Sequence, residues 1–159
     1  MKATKRMLVT GLLTAMVAIS ATPAHASEHK LLTTQDIKWG PAPPSIPAGA
    51  QVAVLYGDPS KDGLFAMRLK MPKGYRIAPH THPKPEIVTV ISGAPRLGMG
   101  ETADPAKAKV LPAGSFFAMP PGMTHFFFAD EDTVIQLNST GPWSLNYVNP
   151  NDDPRRKTQ

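Results

Sequence analysis

The chain has 159 residues, a formal charge of +5 and no cysteine. That length is ordinary for one domain, and the missing thiols exclude disulfides, thiolate metal sites and cysteine nucleophiles. Three of the 17 basic residues (Lys2, Lys5, Arg6) precede position 27 while all 12 acidic ones follow it, so from Ser27 onward the balance is 14 against 12, or +2. With no basic stripe, neither nucleic acid nor an anionic membrane surface is an expected partner.

In chain order, residues 1–26 read as a signal peptide: a basic start, a mostly apolar run from Met7 to Ile19, and the small-x-small site Ala24-His25-Ala26. The run is shorter than the roughly 20 residues of a membrane span and ends at Thr22-Pro23. The expectation is cleavage after Ala26 and a secreted or periplasmic protein without a stable membrane anchor.

Residues 27–50 read as an N-terminal arm, because the runs 40–44 (GPAPP) and 46–49 (IPAG) break any regular ladder. Leu31, Leu32, Ile37 and Trp39 are the residues expected to dock it. From 51 to 150 short apolar-polar runs alternate with turn residues about every ten positions. The predicted strands are 51–56, 64–70, 86–91, 96–100, 107–111, 115–119, 123–129, 133–139 and 143–148. Such spacing means an all-β sandwich or barrel. Residues 151–159 read as a tail whose Arg155, Arg156 and Lys157 solubilise the end.

Residues two apart in a strand share a face. Phe65, Met67 and Leu69 therefore face one way; Glu86 shares its side with Val88 and Val90, and His125 shares its side with Met123 and Phe127. A lone carboxylate among valines is costly unless something compensates its charge. His80 and His82, two apart in extended chain, aim two imidazoles the same way. The Pro83-Lys84-Pro85 turn lets Glu86 face them from the next strand, and His125 completes the set from a distant one.

Singly, these residues suit blander roles: surface loop histidines, an ion pair between Glu86 and Lys84, a core-bonded His125. Together they form a ligand set, since three of the four histidines after position 26 fall in it. Imidazole and carboxylate suit one divalent transition metal ion: iron, manganese, nickel, copper, cobalt or zinc. An octahedral ion with four protein ligands keeps two positions open, for substrate, water or dioxygen.

The spacing Gly74-x5-His80-x-His82-x3-Glu86-x6-Gly93, followed by Gly114-x5-Pro120-x-Gly122-x2-His125, resembles the two motifs of the cupin superfamily. Ala129 stands where the second motif often has asparagine. The whole chain is similar to small secreted one-cupin proteins. The resemblance implies a jelly-roll (double-stranded β-helix) barrel, a metal on His80, His82, Glu86 and His125, and frequent homodimers. It implies no single reaction.

Proton-transfer chemistry needs an acid or base beside the ion, and the other carboxylates fall in turns, at a strand end or in the tail. A site without one suits chemistry done by the ion itself. Three functions stay open: a dioxygenase-type oxidoreductase acting on a small molecule, a non-catalytic metal and ligand-binding or sensing module, and a metal-dependent isomerase or lyase. Tyr75, Arg68, Gln136 and Phe117 are candidate cavity residues that also have plain rim, surface or core readings. The cluster Phe116, Phe117, Phe126, Phe127 and Phe128 is expected to turn only about half its rings inward.

Overall fold

The computed structural model describes residues 29–156, so the expected signal peptide and its cleavage point lie outside the described residues. Eleven strands are described: β1 (Gly40–Pro41), β2 (Gln51–Tyr56), β3 (Gly63–Met71), β4 (Tyr75–Thr81), β5 (Glu86–Ser92), β6 (Arg96–Met99), β7 (Lys109–Val110), β8 (Phe116–Met119), β9 (His125–Ala129), β10 (Thr133–Gly141) and β11 (Asn146–Tyr147). They form two sheets of antiparallel pairs, ordered β1-β2-β3-β10-β5-β8 and β11-β4-β9-β6-β7. This is the expected all-β jelly roll.

Alternation builds the core between the sheets. In β3, Phe65, Met67, Leu69 and Met71 are all at most 2% exposed. Ile135 and Leu137 of β10 sit opposite Leu69 and Met67 in register, and Val88 and Val90 of β5 continue the layer. Full burial of each such side chain stabilises the fold by about 1.5–3 kcal/mol.

Several expectations need correction. Tyr75–Thr81 is a strand missing from the predicted set, although His80 and His82 were expected in extended chain, and Gly40–Pro41 pairs with β2 despite its proline, which an edge strand tolerates. The strand expected over 107–111 shrinks to Lys109–Val110, because the Asp104 side chain accepts the Ala106 N–H and winds Pro105–Lys107 into a 3-10 turn. Only Asn146–Tyr147 of the expected 143–148 strand forms a ladder.

The arm docks through other residues than those expected. Leu31 and Leu32 are exposed and Ile37 and Trp39 only half-buried, the indole lying under the Lys70 ammonium. Ile46 and Ala50 are the buried ones. Two tyrosines strap this stretch down: Tyr147 donates to the Ser45 carbonyl at 2.9 Å, and Tyr75 donates to the Pro47 carbonyl. Burial raises both phenols far above their usual range, so they remain donors.

The tail is also anchored. Arg155 grips both oxygens of Asp153 and reaches the Leu145 carbonyl at 3.1 Å. All three rings of Phe126, Phe127 and Phe128 are buried, which alternation alone would not give. Phe127 faces the core, Phe126 packs over Gly98, and Phe128 lies between the guanidinium groups of Arg76 and Arg96, 5.2 and 5.3 Å from its centre.

Candidate metal centre

His80 points inward because β4 is irregular. Ile77 is buried and faces the interior, so three residues on, strict alternation would turn His80 outward. The register with β9 shifts between Ile77 and His80 by one residue on β4, around Ala78-Pro79. This bulge reverses the facing and brings His80 directly opposite His125. Proline belongs at such a position because it has no N–H to give the ladder. His82 follows just past the strand end, its carbonyl accepting from Gly122 at 2.9 Å, which ties the 120–122 turn to the first histidine pair. Glu86 opens β5 opposite Met119.

All four residues are buried, none more than 6% exposed. The Nδ1 atoms of His80, His82 and His125 lie 2.8, 2.9 and 3.1 Å from the carbonyl oxygens of Ala78, Ser144 and Met123. A carbonyl can only accept, so each Nδ1 carries the proton and, in the neutral ring, each Nε2 presents a lone pair. The three ligand nitrogens lie within 4.8 Å of one another.

Glu86 makes this arrangement electrostatically incomplete. Its Oε1 is 3.5 Å from His82 Nε2 and its Oε2 is 3.2 Å from His125 Nε2. Neither His82 Nε2 nor Glu86 Oε2 has an aligned hydrogen-bond partner, although both are buried. Carboxylate oxygens facing imidazole lone pairs repel, and buried polar atoms without partners are costly. A cation among them removes both penalties. The residues present therefore fit a divalent ion.

Protonation follows the same logic. Burial, reinforced by its histidine neighbours, holds His80 well below the ordinary histidine value, and burial lowers His82 despite the nearby Glu86. Burial also acts to lower His125, but the Glu86 carboxylate outweighs it and the net shift is upward. A proton on His125 is the cation that the metal-free site can recruit.

The remaining wall is apolar: Ile46, Leu69, Ile77, Phe117, Phe127, Ile135, Leu137, Leu145 and Trp143. No titratable side chain beyond the four lines it among the described residues. The cavity inside has a volume of about 20 Å³, room for roughly one water. Of the other candidate cavity residues, only Phe117 lines the space. Arg68 and Gln136 pair with each other at 3.1 Å on the outer face of their sheet, and Tyr75 holds the arm.

Trp143 and Ile46 were missed at the site. The indole stacks on His82 with ring centres 4.7 Å apart and planes 15° apart, and meets Phe65 edge-on at 6.3 Å. The signal was the turn Gly141-Pro142 directly before an aromatic residue. Nothing local tied it to a histidine 61 positions earlier.

The family described as a domain of unknown function, DUF4437, matches residues 22–146. The chain belongs to this family and is a cupin. Among curated proteins, the cupin is 34% identical over 96 residues to germin-like protein 5-1 of Oryza sativa subsp. japonica, covering 60% of this chain and 43% of that protein. It thus spans less than half the length of the curated relatives it matches. Solved structures share its fold at low identity. The polyketide cyclase RemF from Streptomyces resistomycificus aligns at 17% identity and a TM-score of 0.65, covering 83% of this chain and 94% of that one. An acetylacetone dioxygenase from Acinetobacter johnsonii aligns at 17% and 0.61, covering 86% and 88%.

Proposed function

We propose that this cupin holds one divalent transition metal ion on His80, His82, Glu86 and His125, and uses it as an oxidoreductase of dioxygenase type on a small molecule, in the periplasm or outside the cell. The observation that carries the reading is the set of buried, unpartnered donor atoms facing one another, with each imidazole fixed by a carbonyl on its far side.

A bound redox ion would supply Lewis acidity and electron transfer. The chain's own residues supply the rest. The carbonyls of Ala78, Ser144 and Met123 fix which nitrogen faces the centre. Glu86 brings one negative charge, leaving a divalent ion with a net positive charge toward a ligand. The apolar wall keeps bulk water out, which strengthens every electrostatic contact inside. The likeness to an acetylacetone dioxygenase supports the oxidoreductase reading at the level of fold. An isomerase or lyase would need an acid or base within reach, and none lines the cavity among the described residues. The small interior favours a second reading, a metal-bound sensing or binding module that turns nothing over.

Metal analysis of protein purified from its own host, followed by a screen for oxygen consumption, separates the readings. Iron or another redox metal with substrate-dependent oxygen uptake is the expected result. Full activity with zinc contradicts the oxidoreductase, and tight ligand capture without product selects the binding module.

A further inference from the structure

The interior of the barrel is too small for an organic molecule beside an ion. Sites for small organic ligands occupy about 300–1,000 Å³, against about 20 Å³ here. Immediately outside lies a groove of about 370 Å³ between the arm, β2 and the 58–60 turn, walled by Pro41, Pro43, Val54, Pro59, Met67 and Trp143. Trp143 is the one described residue common to both linings, and its indole stacks on His82 on the inner side.

Two residues near the outer end of the cavity differ in their freedom to move. Ile46 is locked: its N–H donates to Pro43, and the carbonyls on either side of it are held by Tyr147 and Tyr75. The backbone of Trp143 is tied to Pro59 at 2.8 Å, but no hydrogen bond holds its ring, which stacks on His82 and meets Phe65 edge-on, and Nε1–H is buried without an acceptor. An unpaired buried N–H is unfavourable, so a ligand carrying an acceptor oxygen gains by supplying one.

Resting on the metal reading above, we infer that the outer groove is the substrate subsite and Trp143 its gate: an uncharged, apolar molecule lies in the groove, the indole swings aside, and a terminal oxygen of the molecule reaches the ion. The charge distribution selects this class. Among the described residues Asp58 is the only ionisable one in the groove wall, and its carboxylate is already engaged by the Ser60 N–H and hydroxyl and by the Lys61 ammonium at 3.2 Å. Nothing there is left to bind a charged body.

The test uses the chain from Ser27 onward loaded with iron(III), with azide as the small probe and phenol as the uncharged, largely apolar donor of one terminal oxygen, whose proton leaves to solvent on binding; each is read by the visible absorption it induces on the ion and normalised to bound metal. Val54→Asp puts a charge into the groove on a residue already 45% exposed. It should lower the ratio of phenol to azide affinity about tenfold, because an apolar ring must then desolvate a carboxylate. Trp143→Ala should raise the phenol association rate about tenfold relative to azide, since movement of the indole would no longer limit entry. Unchanged ratios in both variants, with both probes binding, overturn the inference and leave the metal site standing. Failure of the unmutated chain to hold iron overturns the metal reading, and this inference with it.

Discussion

At the residue level the site is defined by what each donor lacks. Three imidazoles spend their protons on backbone carbonyls, and two of them, His82 and His125, turn bare nitrogens toward the Glu86 carboxylate. The convergence of the four candidate ligands was legible in the sequence, because motif spacing fixes which side chains meet. Their tautomers were not, since Ser144 lies 62 positions from His82. Glu86→Gln keeps the shape and removes the charge, so metal affinity should fall by about 100-fold or more, at or beyond the upper end of the 10–100-fold that follows loss of an outer-shell partner; isothermal titration measures it. Apparent affinity should also fall on acidification. His125 is raised above 6.5 in the metal-free site, so below that raised value the ion must displace a proton, and above it the competition ends. Metal titrations from pH 5 to 8 should show affinity rising with pH; a flat profile contradicts the role of His125 as a ligand.

The elements show what periodicity can and cannot foresee. Alternation placed Phe65, Met67 and Leu69 on the core side and Glu86 beside Val88 and Val90, as found. It cannot foresee the bulge at Ala78-Pro79, which reverses the facing of β4, because the sequence carries only a proline there and the inserted residue is defined by pairing with β9. The burial of Phe126 has a similar origin: its ring fills the space that a Cβ on Gly98 would need, 2.0 Å from the nearest ring carbon. Phe126 is fully buried and has nowhere to retreat. Gly98→Ala should therefore destabilise the protein by about 1–3 kcal/mol, the usual cost of overpacking, as measured by urea unfolding. A neutral result would mean the two strands separate more easily than their packing indicates.

For the whole molecule, the barrel class was legible because turn residues recur every ten positions. The closure of the barrel was not. It depends on two tyrosines holding carbonyls 28 and 102 positions away and on Ile46 entering the cavity between them, contacts without local periodicity. Two apolar layers and a strapped arm surround a centre that is unfavourable without a cation, so folding and metal binding should be linked. At a free metal concentration of about 100 times the dissociation constant the gain is about 2.7 kcal/mol, visible as a rise of several degrees in Tm that a chelator reverses. The central claim is tested most directly by elemental analysis of the protein from its own host beside its His82→Ala variant. About one ion per chain in the first and essentially none in the second is the expected result. No metal in the native protein, or undiminished metal in the variant, would contradict it.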